Sequence, residues 1–425
     1  MELLDTVPAA QRARLQAIAA ASREQGAPAY LVGGFVRDLL LGRENRDLDV
    51  VVEGDGIELA ARLATALGGQ VRAYPAFLTA VMVDPRGDDI DVATARSERY
   101  RSPAALPEVR AAALREDLFR RDFTVNTMAI RLGPEPGAEL IDLFDGRRDL
   151  QEKSLHVLHG RSFIDDPTRI LRGVRLEQRL GFRLSPDTLE LVEEALAERV
   201  FDLLSGSRLR EELILLLDDP ALAFGGIERL AGLGVLRAID PRLELDEATR
   251  ERLREALAGL GWYRRERIAD PPVAAWRLLL LALAAGLEPA DRRRLADRLL
   301  LDGEDRRLLA APPGRLDAIR AVLHRETDNP APHQAAEALE PLAGEELLLL
   351  MAEGNETVRA WVRRYLTGMR PLTLSLRGAD LLAAGIPPGP RIGAALRATR
   401  RARLDGHVDA AGELRYALDI AKGES

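Results

Sequence analysis

Apolar positions recur at helical spacing from Ala9 to Glu24, then give way to the unbroken run AYLVGG, the signature of a helix followed by a buried strand. FVRDLLLG returns to helical spacing over a short stretch, and LDVVVEG reads as a second strand. GIELAARLATALG predicts another helix, followed by three strand-like runs, QVRAY, LTAVMVD and DIDVATA, the last two divided by the turn-rich PRGD. After Leu150 strand signals nearly vanish. Helices rich in Ala, Leu, Arg and Glu continue to the end, punctuated at Pro241, Pro271-Pro272, Pro312-Pro313-Gly314 and Pro387-Pro388-Gly389-Pro390. The pattern predicts an α+β protein: a mixed α/β head over about residues 1–150 on an elongated all-α body, without short-period repeats or a low-complexity linker.

Composition narrows the chemistry. With 425 residues, 47% of them hydrophobic, the chain buries a sizeable core and fits two or more domains better than one. No run approaches the ~20 uncharged apolar residues of a membrane helix. The start MELLDTVPAAQRARLQ lacks the layout of a signal peptide, so a cytoplasmic protein with no membrane association is expected. Zero cysteines exclude disulfides, thiolate catalysis and cysteine zinc sites, and the five histidines form no HExxH. Any metal is therefore held mainly by oxygen, which points to a hard ion such as Mg²⁺. The net charge of −8 argues against wrapping nucleic acid over the whole surface, although local patches can still bind it. Lysine occurs only at Lys153 and Lys422; arginine otherwise supplies the positive charge and is the better bidentate partner for phosphate, but a codon bias explains this equally well.

The segment LVGGFVRDLLLGRENRDLDVVVEG concentrates candidate chemistry. Gly33 and Gly34 fall where a strand hands over to a helix, a place where backbone N–H groups can approach phosphate. Asp47 and Asp49, one residue apart at the start of a strand, share a face by period-2 geometry. Alone, such a pair reads as solvated aspartates in a turn. Asp91 in DIDVATA supplies a third carboxylate if the two strands are neighbours, and is preferred over Asp89, which sits nearer the turn. Three carboxylates on a small sheet suit a pair of Mg²⁺ ions, one acidifying an attacking hydroxyl and one supporting a leaving pyrophosphate.

GGFVRDLLLG…DLD, then DLFRRDFTVNTMAI, then DDPTRILRGVRLEQRLGF resemble, in order and spacing, the motifs of the class II tRNA nucleotidyltransferases, the CCA-adding enzymes and their poly(A) polymerase relatives. The resemblance is specific over about residues 28–215 and suggestive beyond. Departures are Asp165 for glutamate, Thr127 for alanine, and Gly173 and Leu176 for alanine and phenylalanine. It implies a polymerase-β-like head (1–150), a helical neck (151–215), a body (216–350) and a tail (351–425). It further implies that Arg37 and Arg121 contact the triphosphate, with Asp38 structural, and that the region of Asp122, near Asn126, helps hold the ribose.

DDPTRILRGVR starts a helix with Asp166 in an N-cap position and Pro167 in the first turn. Arg169, Arg172 and Arg175 recur at i+3 spacing on one broad face, which by itself also describes a surface helix with a basic stripe. Cytosine and adenine both present an amino donor beside a ring-nitrogen acceptor. An aspartate beside an arginine matches that pair, whereas uracil and guanine would leave both protein groups facing like partners. By resemblance Asp166 and Arg169 act as this amino-acid template, and Arg172 and Arg175 reach phosphate. Arg208 and Glu212, in a helix resembling the one that braces the neck, read as a structural pair.

In the tail, Arg391, Arg397, Arg400, Arg401 and Arg403 form a basic run that is ordinarily a solvated helix face; the resemblance implies contact with tRNA phosphate. The expected activity is template-independent addition of C and/or A to the tRNA 3′ end from CTP and ATP, with no obligatory protein partner. An A-only or CC-only enzyme, a poly(A) polymerase and a catalytically silent RNA-binding module are the rival readings. The mild ending LDIAKGES speaks against the poly(A) polymerase, and the full-length region between Asp91 and Arg120 against a CC-only enzyme.

Overall fold

The structure, a computed structural model, describes residue 4 and residues 7–132, 139–312, 314–324 and 329–423. Pro313, within the expected punctuation, lies outside the described residues. The order from the N-terminus is α1 (Ala9–Gln25), β1 (Ala29–Val32), α2 (Gly34–Leu40), β2 (Leu48–Val52), α3 (Gly56–Leu67), β3 (Gln70–Tyr74), β4 (Thr79–Val83) and β5 (Asp89–Thr94). A charged hairpin follows, β6 (Arg96–Arg99) with β7 (Glu108–Ala111), then α4 (Leu114–Phe119), β8 (Ala129–Arg131) and β9 (Leu140–Ile141). Seven of these strands form one mixed sheet, ordered β3-β4-β5-β2-β1-β8-β9, in which only β2 and β5 run parallel.

Period-2 alternation decides which face of this sheet is covered. Leu48, Val50, Val52, Ala80, Met82, Ile90 and Val92 are all buried, and they point to the side where α3 packs Leu59, Ala60 and Leu63. Helix α3 forms there because its apolar residues fall on one stripe, and because Asp55 caps it by accepting from the N–H groups of Ile57 and Glu58. Truncating Leu63 to alanine in so closed a layer costs about 2–5 kcal/mol. On the other face, Leu114 and Leu118 of α4 form a cluster with Tyr30, Val32 and Val51 of β1 and β2 and Ala129 of β8, with Ala93 of β5 packed against it.

After α5 (Gly146–Glu152), a two-residue parallel pair joins β10 (Ser154–Leu155) to β11 (Arg183–Leu184). Between them lie α6 (Ser162–Asp165) and α7 (Thr168–Leu180); α8 (Pro186–Ala197), α9 (Val200–Leu203) and α10 (Gly206–Leu217) follow. Gly173 in α7 has a direct reason: a Cβ there would come within 2.8 Å of the buried Phe123 ring. The chain divides into two compact units, residues 1–212 with 229–239, and residues 213–228 with 240–425. The second unit is helical, and within it Ala275–Ala284 is buried along almost its whole length. Also in that unit, Pro390–Leu404 and Glu413–Lys422 pack around Leu376, Leu381, Ala395 and Ala417. Among the described residues no helix is long and apolar enough to cross a membrane.

Candidate active site

Strand β1 ends at Val32, and Gly33 turns the chain into α2 with φ +69°, a conformation that glycine alone adopts without strain. A Cβ at this position would lie 3.0 Å from Arg121 Nη1 and 3.2 Å from Asp49 Oδ2, so the missing side chain lets both groups close on the backbone. The same test at Gly34 meets Arg37 Nη2 at 3.5 Å. Strands β2 and β5 are neighbours, and Asp49 stands opposite Asp91 in their register. Asp49 is half-buried, whereas Asp47 and Asp91 are exposed. Burial pushes the Asp49 carboxyl up to about 6; Asp91 and Asp47 add to the rise, and Arg121 and Arg37 oppose it. Asp91 is also raised, by burial first and then by Asp89 and Asp47. Two acids on one sheet face thus hold their charge at a cost, which a cation between them would remove. Among the described residues no three His, Asp or Glu side chains converge on a point as a finished cation site.

Arg120 and Arg121 are adjacent in sequence, and alternation alone would send their side chains to different sides. Both instead end on Asp117, a fully buried acid of α4: Arg120 Nη2 donates to Oδ1 at 2.8 Å and Arg121 Nη2 to Oδ2 at 3.1 Å. Helix α4 stops at Phe119 and the chain turns there, which brings adjacent side chains to one carboxylate. Arg120 reaches on to Glu98 at 2.8 Å, so the β6–β7 hairpin is tied to the same cluster. Sequence reading missed Asp117, because an acid in REDLFRRD reads as one more charge on a solvated helix.

Arg37 is buried and fully engaged, donating to Asp38 through Nε and to Asn126 Oδ1 through Nη1 at 2.7 Å. Asn126 in turn donates to Asp122 Oδ1 at 2.9 Å, and Arg172 grips Asp122 Oδ2 through Nε and Nη2 at 2.9 and 2.8 Å. Burial alone would raise the Asp122 carboxyl, but Arg172 and Asn126 together hold it well below its ordinary range. Gly33, Arg121 and Asp49 therefore come together at the sheet, and Arg37, Asn126, Asp122 and Arg172 form a connected chain leading to α7.

On α7 the basic stripe is tied to acids and to backbone rather than left free. Arg169 is buried, donating to Ser162 Oγ at 2.7 Å and to the Arg120 carbonyl at 2.6 Å. Arg175 faces Glu212 at 3.5 Å, and Arg172 faces the same acid at 3.7 Å. Arg208 and Glu212 are thus committed elsewhere rather than to one another: Arg208 Nη2 donates to Asp166 Oδ1 at 2.6 Å and Nη1 to the Ala104 carbonyl at 2.9 Å. Asp166 has extended backbone, and its Oδ1 accepts from the Thr168 N–H at 3.0 Å. It does the work of a cap, although the helix starts one residue after Pro167.

In the tail helix, Arg391 and Arg397 are exposed and without an ion-pair partner among the described residues. Arg400 and Arg401 pair with Glu340 and Glu337 of the helical segment Pro332–Leu339 and the residue after it. Arg403 lies against the buried Glu413 at 2.7 Å, a structural position.

Residues 29–156 match the poly A polymerase head domain family. An A-adding tRNA nucleotidyltransferase of Geobacter sulfurreducens is 40% identical over 401 residues, 93% of this chain; the chain spans less than half of that relative, 45% of its length. A CC-adding tRNA nucleotidyltransferase of Deinococcus radiodurans is 32% identical, over 91% of this chain and 88% of its own. Among solved structures, a CCA-adding enzyme in apo form II superposes with a TM-score of 0.82 at 31% identity, covering 97% of this chain and 96% of its own. A CCA-adding enzyme in complex with CTP gives 0.80 at 29% identity, covering 100% and 98%.

Proposed function

This chain belongs to the family of tRNA nucleotidyltransferases and poly(A) polymerases, and from that membership we propose that it adds C and/or A, without a template, to the 3′ end of tRNA. The observation that carries the reading is the pairing of Asp49 with Asp91 on adjacent strands, beside Gly33 and Arg121. In this reaction the 3′ hydroxyl attacks the α-phosphate of CTP or ATP, a P–O bond forms, and the bond to pyrophosphate breaks. Asp47, Asp49 and Asp91 are the oxygen donors for divalent cations, Mg²⁺ by their hardness. The fit lies in the raised Asp49 carboxyl and the two acids that add to its rise. Bound there, such ions supply charge neutralisation for the triphosphate and acidify the attacking hydroxyl.

The protein groups do the rest. Arg121 sits at the edge of the carboxylates for the triphosphate, and the backbone at Gly33 leaves room for it. Arg37 fixes Asn126 and Asp122, which face the ribose, while Arg172 and Arg175 balance Asp122 and Glu212 until phosphate arrives. Asp166 and Arg169 read the base. The domain roles follow: head 1–150 for the metals, neck 151–215 for the base, body 216–350, and tail 351–425 for tRNA.

An A-only enzyme is the second reading, favoured by the higher identity to the A-adding relative, 40% against 32%. The test uses tRNA transcripts ending before CCA, after C and after CC, each with one labelled nucleotide. A CCA enzyme extends all three, an A-only enzyme extends only the transcript ending in CC, and no extension of any overturns both.

A further inference from the structure

The sheet face that carries the carboxylates continues past them. Asp49 stands opposite Asp91, Asp91 opposite Val81, and Val81 opposite Arg72, so these four side chains lie in one row on one face. A parallel row runs Val51, Ala93, Thr79, Tyr74. Strand β3 is the sheet edge and all five of its residues are exposed. Alternation places Gln70, Arg72 and Tyr74 on the carboxylate side, and Val71 and Ala73 on the side where α3 lies. Thr79, Val81 and Ala93 between them are half-buried, and neither the Arg72 nor the Tyr74 side chain has a hydrogen-bond or ion-pair partner among the described residues.

The two flanks of the carboxylates differ in kind. The β1 flank holds Gly33 and Arg121, the groups assigned to the triphosphate. The β4/β3 flank is open. In-line displacement at phosphorus puts the entering hydroxyl opposite the leaving pyrophosphate, so on the nucleotidyl-transfer reading the RNA end would come in on the β4/β3 flank.

We infer that Arg72 and Tyr74 form an acceptor-strand subsite for the single-stranded 3′ end of the RNA, Arg72 meeting a backbone phosphate and Tyr74 stacking on a base. The inference rests on the nucleotidyl-transfer reading and assigns its second substrate a path. Arginine and an exposed aromatic ring are the pair that hold single strands without reading sequence. From Asp91 to Arg72 is two strand spacings, about 10 Å, a distance that a few nucleotides of single strand span. The contacts therefore fall on the last few nucleotides behind the reacting hydroxyl.

The test compares Arg72→Ala/Tyr74→Ala with Val71→Thr, which alters the opposite face of the same strand. The double variant is expected to raise KM for tRNA about tenfold, with KM for the nucleotide within about twofold of wild type and an unchanged melting temperature. Val71→Thr leaves both constants unchanged, while Tyr74→Phe keeps the stack and Arg72→Lys keeps part of the phosphate contact. A photoreactive benzoylphenylalanine at position 74 crosslinks to the last three nucleotides of a labelled acceptor-stem RNA. An unaltered KM for tRNA in the double variant, or crosslinks confined to the duplex stem, overturns the subsite while wild-type extension persists. Wild-type protein that extends no RNA overturns the nucleotidyl-transfer reading itself.

Discussion

If Asp49 holds a cation as proposed, this one residue serves chemistry at the expense of stability. Its carboxyl is raised from an ordinary 3.8 to about 6 by burial and by its acidic neighbours. With the folded value above the unfolded one, the group favours the folded state below pH 3.8 and loses that contribution as pH rises to about 6. Above that, ionised Asp49 penalises the metal-free protein, by about 3 kcal/mol at 1.36 kcal/mol per unit. Asp49→Asn removes the charge and keeps the shape. In chelator at pH 7.5, this variant is expected to melt higher than wild type, by roughly 1–3 kcal/mol of added stability. Added Mg²⁺ should stabilise wild type and leave the variant unmoved, and nucleotide incorporation by the variant should be lost. Protons compete with the cation for the same oxygens, so the Mg²⁺ concentration for half-maximal activity should rise as pH falls below about 6. A variant that melts no higher in chelator would mean that Asp49 is not held at a cost.

At the level of elements, α7 and α10 act together. Asp166 precedes α7, and its Oδ1 accepts from Thr168 on its own side and from Arg208 of α10 on the other. If Asp166 accepts the amino group of cytosine or adenine, Arg208 is a positioning residue that fixes which way the carboxylate faces. Removing it frees Asp166 to rotate without touching the nucleotide. Arg208→Ala is therefore expected to lower the ratio of kcat/KM for CTP over UTP roughly tenfold, the effect of weakening one charge-assisted bond. The KM for CTP itself should move less, because the triphosphate contacts remain. Loss of stability with an unchanged ratio would mark Arg208 as a brace only.

These two helices also show where the sequence stops being readable. Period 2 in LDVVV and DIDVAT made β2, β5 and the shared face of Asp47 and Asp49 legible, because alternation is local; that β2 and β5 are neighbours, which sets Asp49 opposite Asp91, was a condition that only the fold supplies. Helices α1 and α3 were legible for the same reason at helical period. The β6–β7 hairpin was not, since SER and EVR carry too much charge to show a buried face. The Arg208–Asp166 and Arg120–Asp117 pairs were not legible either. The first joins residues 42 apart in sequence and the second depends on how a short helix ends, and neither leaves a periodic trace.

For the whole molecule, the question is how a chain of net charge −8 would hold a polyanion. Counterion release makes the salt dependence of binding a count of cations delivered to phosphate, about 0.7–0.9 per contact in the log–log slope. Delivery counts only if the cation was free beforehand. Arg391 and Arg397 are exposed and unpaired among the described residues, so each one that meets RNA adds its full share. Arg400 and Arg401 begin in pairs with Glu340 and Glu337. When such an arginine turns to a phosphate, it leaves a carboxylate that takes up a counterion in turn, and the net release is near zero. If the tail binds tRNA as proposed, Arg391→Ala/Arg397→Ala should flatten the slope by about 1.5. Arg400→Ala/Arg401→Ala should leave the slope unchanged, whatever it does to affinity at one salt concentration. Measuring tRNA binding by anisotropy from low to moderate salt separates the two pairs. Equal flattening by both would show that the acidic partners do not hold Arg400 and Arg401 in solution, and no flattening by either would place the phosphate contacts outside this helix.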